Sequence, residues 1–319
     1  MNMVTKIFFT TDLHGSEKCF KKFINAGKFY NADVIICGGD ITGKMVIPIF
    51  EASGPESIYE ADLMGARETA KTKEELEGLT KKIHNVGFYP YITTSEEFEK
   101  VRQDPNKIDQ LFSELMMQTL QGWLEIAEER LKGTNIKCFM TPGNDDKFEI
   151  DPILAKSSVI SNPEGKVVRV DDHHELISTG FTNITPWNCP RDIKEEELEQ
   201  KISEMASRLE DPKNAIFDIH VPPFDTKLDQ APKLDNLKVV SMMGNPILEP
   251  VGSISVRKAL EKYQPLLGLH GHIHESKGYD HIGRTLIINP GSEYSEGILH
   301  GAVIELDADK VRNFVLVQG

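Results

Sequence analysis

The sequence has few cysteines and no long apolar run, and these shortages exclude several classes of protein. Its four cysteines form no Cys-x-x-Cys pair, which favours reduced, buried thiols over a disulfide framework or a zinc–thiolate site. No apolar stretch approaches the ~20 residues that a bilayer-spanning helix needs. The first residues fit a strand better than a signal peptide. We therefore expect a cytoplasmic protein that does not associate with membranes.

Positive charge is also in short supply, which bears on the partners of the protein. Lys and Arg number 36 against 50 Asp and Glu, so the formal net charge is −14. Nucleic acids and anionic lipids repel such a chain. The charge disfavours long nucleic acids as partners, although bound cations can reverse it locally. The 319 residues, 39% of them hydrophobic, suffice for one large globular domain or two ordinary ones.

Short apolar runs alternate with helical patterns along most of the chain. Each run ends in polar residues or glycine and is typical of a buried strand, so the alternation predicts an α/β layered fold. Ligands of such folds bind beyond the carboxyl ends of the strands, so polar residues at these ends should converge on one crevice. These residues are Asp12, His14, Asp40, Asn144, His220, His272 and His274.

Residues 45–134 interrupt the alternation. Apolar residues spaced by three and four positions predict helices around residues 76–86 and 108–131, with an aromatic turn at residues 88–91 between them. We interpret residues 45–134 as a mostly helical insertion and residues 1–44 and 135–319 as the core domain. Because the insertion begins soon after Asp40, we expect it to lie over or beside the crevice. The aromatic turn is a candidate for contact with a substrate or partner.

The polar clusters gain weight from their order. Asp12-x-His14 alone is a common tripeptide, whereas His272-x-His274 has the period-two spacing that puts both imidazoles on one face of an extended segment. Together the chain shows Asp-x-His, Gly-Asp, Gly-Asn-x-Asp, His and Gly-His-x-His in that order. This set resembles the calcineurin-like metallophosphoesterase superfamily, notably its small archaeal and bacterial phosphodiesterases. The resemblance covers the chain outside the insertion and implies a four-layer αββα sandwich.

The resemblance also implies a dinuclear metal centre, with Asp40 as the bridging ligand. Oxygen and nitrogen ligands without a thiolate suit Mn, Fe, Zn, Co or Ni, and the sequence does not choose among these five metals. Two such ions would hold a hydroxide nucleophile and clamp both oxygens of an in-line displacement. The implied ligands of the first metal are Asp12, His14, Asp40 and His274, and those of the second are Asp40, Asn144, His220 and His272.

One position departs from the family pattern. Many members have a histidine after the asparagine, which stabilises or protonates the leaving group, but here the sequence is Asn144-Asp145-Asp146. An unperturbed aspartic acid has a pKa of ~3.9 and is a poor acid at neutral pH. In the family, the residue at position 146 orients the missing histidine, so its role here is in doubt. We keep all three as candidate catalytic residues and expect substrates with good leaving groups.

Other loop residues allow two interpretations. The family's protein phosphatases place an arginine soon after Gly-Asp, whereas this chain has Lys44, which we interpret as a surface lysine rather than a phosphate-binding charge. The segment from Asn289 to Ser292 is either a plain turn or a loop like that of small phosphodiesterases. Asn188 and Arg191 lie in a proline-flanked loop that could reach the site.

The sequence thus predicts a metal-dependent hydrolase of phosphate esters, most of all a phosphodiesterase acting on small or activated substrates. A catalytically weak scaffold of the same fold is one alternative, and the complete set of seven ligands argues against it. A nuclease is another, and the acidic charge and missing histidine argue against it. The natural substrate, the metals in the cell and the oligomeric state stay open.

Overall fold

A computed structural model describes residues 4–52 and 58–319 as a mixed α/β structure. Within these ranges are two six-stranded sheets, several smaller sheets and seven α-helices. None of these helices combines the length and the apolar character needed to cross a membrane. The helices are Glu17–Phe29, Lys73–Asn85, Ser95–Arg102, Pro105–Leu131, Asp151–Leu154, Glu195–Ala206 and Ile254–Tyr263.

The first sheet places three candidate ligand loops side by side. Its strands, in spatial order, are Lys310–Gln318, His300–Asp307, Thr5–Thr10, Val34–Cys37, Lys137–Met140 and Ile160–Ser161. The strands ending at residues 10, 37 and 140 are adjacent and parallel. Because parallel strands end at the same edge, the loops with Asp12, Asp40 and Asn144 leave the sheet together.

The second sheet does the same for the remaining candidate ligands. Its strands, in spatial order, are Gly278–Ile282, Thr285–Asn289, Leu267–Leu269, Ile216–Ile219, Glu175–Thr179 and Val167–Arg169. The strands ending at residues 219 and 269 are parallel neighbours. The loops that follow them, with His220 on one and His272 and His274 on the other, therefore also lie next to each other.

Apolar packing lies on both faces of each large sheet. Ile7 and Phe9 of the first sheet share one buried cluster with Ile216 of the second. The other face of the first sheet packs on helices Glu17–Phe29 and Pro105–Leu131. The other face of the second sheet packs on helices Glu195–Ala206 and Ile254–Tyr263. Burial on both faces explains why the central strands are nearly continuous apolar runs.

Helix Glu17–Phe29 shows how the sequence sets an element next to the site. The Ser16 side chain caps it by accepting a hydrogen bond from the Cys19 amide. Phe20 and Phe23 lie three positions apart and are buried on one face, and Phe20 stacks on Trp123 with ring centroids 4.3 Å apart. The helix therefore begins soon after His14 in a fixed orientation.

The described part of residues 45–134 contains a sheet as well as helices. Its four strands, in spatial order, are Ala66–Ala70, Tyr59–Leu63, Val46–Glu51 and Tyr89–Thr93, and a separate apolar cluster packs between this sheet and helix Lys73–Asn85. The helical interpretation of residues 45–134 did not include these strands. Helix Pro105–Leu131 packs in the main core through Trp123.

Four short ribbons complete the strands of the described residues. Each is a pair of two- or three-residue strands in the half of the chain that contains the second sheet. The pairs are Thr182–Asn183 with Asp192–Ile193, Gln230–Pro232 with Leu248–Pro250, Leu234–Asp235 with Lys238–Val239, and Ser241–Met242 with Asn245–Pro246.

Candidate metal centre

The candidate ligands lie in tight loops with unusual backbone conformations. Asp12, His14, Asp40 and His272 have φ values of 55°, 41°, 49° and 66°. Such left-handed conformations are uncommon outside glycine and cost of order 1–3 kcal/mol each, so they concentrate at functional sites. The loops therefore turn sharply at the positions that carry the ligands.

Hydrogen bonds between neighbouring loops hold these turns. The amide of Asp12 donates to the Gly39 carbonyl at 2.9 Å, and the amide of His14 donates to the Asp40 carbonyl at 2.8 Å. Gly143 permits the loop of Asn144 to approach the loop of Asp40, because a Cβ at residue 143 would lie 2.1 Å from the Asp40 amide nitrogen. The three loops of the first sheet are thus packed backbone against backbone.

His14 and His274 form one side of the cluster. Their Nε2 atoms lie 3.0 Å apart. The His14 Nε2 is also 3.4 Å from Asp40 Oδ2, and the His274 Nε2 is 3.3 Å from Asp12 Oδ1. Two imidazole nitrogens and carboxylate oxygens that converge in this way form a set that can ligate a divalent cation.

His220 lies on the other side of Asp40 and provides a test of whether a cation fits. Its Nδ1 donates to the Gly38 carbonyl at 2.8 Å, so in the neutral ring Nε2 carries a lone pair. That Nε2 is buried without a hydrogen-bond partner among the described residues, and it faces Asp40 Oδ1 at 3.4 Å and Asp12 Oδ1 at 3.8 Å. A lone pair facing carboxylate oxygens fits a bound cation.

Asn144 and His272 complete this second side. The His272 Nδ1 lies 3.0 Å from Asn144 Oδ1, and the His272 amide donates to Asp12 Oδ2 at 3.1 Å. The other end of the Asn144 side chain donates through Nδ2 to Asp192 Oδ1 at 3.0 Å. The amide oxygen of Asn144 therefore points into the cluster. The structure brings all seven candidate ligands together in one place, while their division between two metals stays a prediction.

The histidines of the cluster differ in the direction in which their surroundings shift the pKa. Burial lowers the pKa of His14 to about 3 and that of His272 to about 4. Burial also opposes the charged form of His220, but Asp40 and Asp12 outweigh it and raise its pKa to about 10. A cation at His220 would take the place of the proton that these two carboxylates otherwise attract.

Asp145 has three polar contacts at the edge of the cluster. Its carboxylate lies 2.6 Å from the Lys44 Nζ, and it accepts a hydrogen bond from the Cys189 thiol at 3.0 Å. Its amide donates to Asp40 Oδ1 at 3.0 Å. Ligand atoms of Asp145, Asp40 and His14 lie within 4.8 Å of one another, so Asp145 is close enough to join the metal ligands. Lys44 is exposed, as expected of a surface lysine, but its ammonium group contacts Asp145 at the edge of the cluster.

Asp146 supports the loops instead of facing the cluster. Its buried carboxylate accepts hydrogen bonds from the Ile41 and Thr42 amides at 2.9 and 2.8 Å and from the Gly143 amide at 2.7 Å. The Thr42 hydroxyl donates to it as well. These contacts join the loop of Asp40 to the loop of Asn144.

The loop after the strand Thr285–Asn289 contacts the loops that carry the histidine ligands. The Asn289 side chain donates to the Ile273 carbonyl at 2.9 Å, and the Ser292 hydroxyl donates to the Asp12 carbonyl at 2.7 Å. The ring of Tyr294 packs on the ring of His14 with centroids 4.7 Å apart. The segment is therefore more than a plain turn.

The remaining sequence candidates lie elsewhere. Arg191 is buried, donates to the Asp146 carbonyl and to Asp151, and lies over the Phe148 ring, so it does not reach into the cluster. In the aromatic turn, Tyr89 is buried with its hydroxyl bonded to a backbone amide, which leaves it unavailable to a substrate.

The turn that contains Asn85 and Gly87 touches the site. Gly87 has a φ of 89°, and a Cβ at this position would lie 2.1 Å from the His14 carbonyl oxygen. The Ser16 hydroxyl donates to the Asn85 carbonyl at 2.6 Å. The turn before strand Tyr89–Thr93 therefore packs directly against the His14 loop, beside the cluster.

Sequence reasoning missed several residues of the site. Thr11 donates to Asp12 Oδ2 at 2.7 Å, and Tyr294, Cys189 and Asp192 have the contacts described above. Cys189 and Asp192 lie close to Arg191, which sequence analysis did single out, but their own residue types carry no ligand motif. Tyr294 lies two positions after Ser292, the last residue of a segment that the sequence did single out. Its closeness to that segment could have identified Tyr294 as a site residue.

Comparisons with known proteins place the fold but not the activity. None of the family models compared with the sequence matches it. The chain is 31% identical over 151 residues to the uncharacterized protein MJ1162 of Methanocaldococcus jannaschii, which covers 47% of this chain and 61% of that relative. The chain thus spans about three-fifths of the length of the relative that it matches.

Comparison with solved structures likewise indicates the fold and not the activity. The protein TT1561 of Thermus thermophilus has a TM-score of 0.52 at 15% identity over 99% of both chains, which indicates a shared fold alone. A dimetal phosphatase from Danio rerio has a TM-score of 0.44 at 8% identity over 98% of both chains. Structural neighbours therefore include a phosphatase, but a TM-score below 0.5 does not establish a shared fold.

Proposed function

We propose that this protein is a metal-dependent phosphoesterase that acts best on small phosphodiesters with good leaving groups. The observation that carries the proposal is the position of Asp40, whose Oδ2 and Oδ1 each lie 3.4 Å from a different imidazole, His14 and His220. A carboxylate with its two oxygens facing two nitrogen ligands is arranged to bridge two divalent cations. The partnerless Nε2 of His220 supports the same arrangement.

The two sides of Asp40 have different ligand sets. We assign His14, His274 and Asp12 to one side and His220, His272 and Asn144 to the other, and Asp12 Oδ1 also lies 3.8 Å from the His220 Nε2. Both sets consist of nitrogen and oxygen atoms without a thiolate, which suits Mn, Fe, Zn, Co or Ni. Two such cations would supply Lewis-acid stabilisation of phosphoryl charge and activation of water as a nucleophile.

Lys44 supplies a fixed positive charge next to this cluster. Burial opposes its charged form, but the carboxylates of Asp145 and Asp40 outweigh that effect and raise the pKa of Lys44 to about 12. The ammonium group therefore keeps its proton at neutral pH. A compact cation of this kind suits the oxygens of a phosphoryl group and is a poor general acid.

Asp145 does not fill the place of the histidine acid either. Its carboxylate is ion-paired with Lys44 and accepts a hydrogen bond from the Cys189 thiol. Residue 145 thus presents an ion-paired carboxylate where an imidazole would present a proton donor. This is why we propose substrates whose leaving groups depart without a proton.

The proposal extends to the architecture and to the substrate size. We infer that the two large sheets and their flanking helices form a four-layer αββα sandwich, which the three apolar clusters on either side of the sheets support. The net charge of −14 supports small phosphate esters as substrates over long nucleic acids.

The proposal is tested by metal analysis and by hydrolysis assays with each of the five metals added separately. We expect bis(p-nitrophenyl) phosphate to be cleaved fastest in a panel of mono- and diesters. Asp40→Asn should abolish hydrolysis and lower the metal content while the circular dichroism spectrum is unchanged. If no metal supports cleavage of any ester, the proposed function is wrong.

The matched control is Asp229→Asn. Asp229 is buried and accepts hydrogen bonds from the amides of Asp225, Thr226 and Gly252, but from none of the candidate ligands. This variant makes the same chemical change in another buried loop and should keep its metal content. Wild-type activity in Asp40→Asn would show that Asp40 does not bridge the metals.

A further inference from the structure

The carboxylate of Asp192 accepts hydrogen bonds both from Asn144 and from the loop of residues 185–189. Its Oδ1 accepts hydrogen bonds from Asn144 Nδ2 at 3.0 Å and from the Thr182 hydroxyl at 3.1 Å. Its Oδ2 accepts from the Thr185 amide at 2.9 Å, the Thr185 hydroxyl at 2.5 Å and the Cys189 amide at 3.0 Å. One oxygen thus faces a candidate metal ligand, and the other closes a loop.

The contact with Asn144 decides which end of its amide faces the cluster. The oxygen and nitrogen ends of an asparagine amide have nearly the same shape, but only the oxygen can bind a cation. Donation from Nδ2 to Asp192 leaves Oδ1 directed toward His272 Nδ1, 3.0 Å away. A carboxylate is suited to this task because it accepts hydrogen bonds and donates none.

The contacts of Oδ2 shape the loop of residues 185–189. Within it, Asn188 has a φ of 49°, and the Trp187 side chain is 63% exposed. The Cys189 thiol donates to Asp145 at 3.0 Å, so the end of this loop borders the cluster. The carboxylate that orients Asn144 therefore also fixes the loop that carries an exposed tryptophan beside the site.

We infer that Asp192 is a positioning residue that couples the orientation of the Asn144 amide to the closure of the loop of residues 185–189. This inference rests on the proposed function, because it assumes that Asn144 binds a cation. A closed loop then raises the cation affinity of the side of the site that contains Asn144 and His272. By linkage, a cation bound there also favours the closed loop.

The decisive variant is Asp192→Asn, which keeps the shape and removes the charge. Whichever way its amide turns, the NH2 group meets hydrogen-bond donors, either Asn144 Nδ2 or the amides of Thr185 and Cys189. Isothermal titration with Mn²⁺ should show the affinity of one of two sites reduced by ~10–100-fold, as is typical when the partner of a metal ligand is lost. Asp229→Asn, the matched control, should bind Mn²⁺ as the wild type does.

A second variant keeps the inference testable if Asp192→Asn does not fold. Thr185→Ala removes the hydroxyl that donates to Asp192 Oδ2, and Thr185 makes no hydrogen bond to Asn144 among the described residues. We expect a several-fold loss of Mn²⁺ affinity at the same site. If Thr185 had only a local structural role, Thr185→Ala would lower the melting temperature and leave the Mn²⁺ affinity unchanged.

Tryptophan fluorescence provides a readout of the loop itself. The chain has two tryptophans, and Trp123 is buried whereas Trp187 is exposed, so acrylamide quenches mainly Trp187. Zn²⁺ does not quench tryptophan by paramagnetism, and its addition should reduce acrylamide quenching in the wild type. The same addition should have no such effect in Asp192→Asn.

The outcomes separate this inference from the proposed function. If the wild type binds neither Mn²⁺ nor Zn²⁺, both are wrong. If the wild type binds two cations and the folded Asp192 and Thr185 variants bind them equally tightly, the proposed function stands and the coupling through Asp192 is wrong. Unchanged quenching on addition of Zn²⁺ to the wild type would also contradict the coupling.

Discussion

Replacing Asp145 with histidine should change how the reaction rate depends on the leaving group. In the wild type, the Asp145 carboxylate is paired with Lys44 at 2.6 Å and accepts a hydrogen bond from the Cys189 thiol, so residue 145 lies in an ion pair instead of presenting an imidazole proton donor. Nitrophenolate departs without being protonated, whereas an alkoxide of high pKa needs a proton in order to leave. We therefore expect activated diesters to be cleaved far faster than alkyl esters.

The size of the change follows from two opposing effects. The Lys44 side chain is 44% exposed, so loss of its ion pair should cost only ~0.2–1 kcal/mol of stability. A positioned general acid is worth ~10²–10⁴-fold in rate. At about 1.36 kcal/mol per tenfold, that is about 3–5 kcal/mol of the activation barrier for alkyl esters. Asp145→His should therefore fold normally and narrow the gap between the two classes of ester.

The assay is a plot of log kcat/KM against leaving-group pKa for the wild type, Asp145→His and Asp145→Asn. Asp145→Asn removes the same negative charge without adding an acid, so its slope should stay as steep as that of the wild type. A flat plot for the wild type would show that another group already donates the proton. Our interpretation of Asp145 would then be wrong.

Three further predictions concern the packing around the site and the stability of the fold. Gly87→Ala should lower both the melting temperature and the metal content, because its Cβ would lie 2.1 Å from the His14 carbonyl oxygen; unchanged metal binding would contradict this. Arg191→Ala should reduce the free energy of unfolding by about 3–5 kcal/mol, measured in urea, because it removes a buried, hydrogen-bonded cation and leaves its acceptors unpaired. Burial raises the pKa of Asp171, but hydrogen bonds from His174 and its neighbours hold that pKa well below the usual range. This stabilisation is present above the unfolded pKa of ~3.9 and is lost as the pH falls, so Asp171→Asn should cost about 1–2 kcal/mol at pH 7 and progressively less below about pH 4.

The sequence predicted the central strands because their burial is almost complete. Val34–Cys37 and Ile216–Ile219 are buried at every position, which appears in the sequence as an uninterrupted or nearly uninterrupted apolar run. The stripe of Phe20, Phe23 and Ile24 was equally clear, because one helix face packs into the core. In both cases the local pattern and the tertiary environment indicate the same element.

The strands within residues 45–134 were missed for the opposite reason. Ala66–Ala70 is a largely exposed strand with charged residues, so no apolar alternation indicates it. Val46–Glu51 pairs in parallel with Tyr89–Thr93, which lies beyond an entire helix in the sequence. Short, half-exposed strands depend on partners that a local pattern does not contain.

The candidate site also has a part that the sequence predicted and a part that it did not. The backbone conformation of the ligand loops explains the difference. Ligand residue types are few, so their ordered motifs were readable from the sequence. Asp12, His14, Asp40 and His272 nevertheless adopt positive φ values that glycine would adopt without strain. Glycine has no ligand atom, so the chain keeps the ligands, and hydrogen bonds from neighbouring loops such as Asp12 to Gly39 hold the strained turns. Those supporting contacts come from backbone atoms and from common residues such as Asp192, whose role depends on position and not on a motif. The chemistry of the site was therefore predictable from residue types, whereas its preorganisation required the structure.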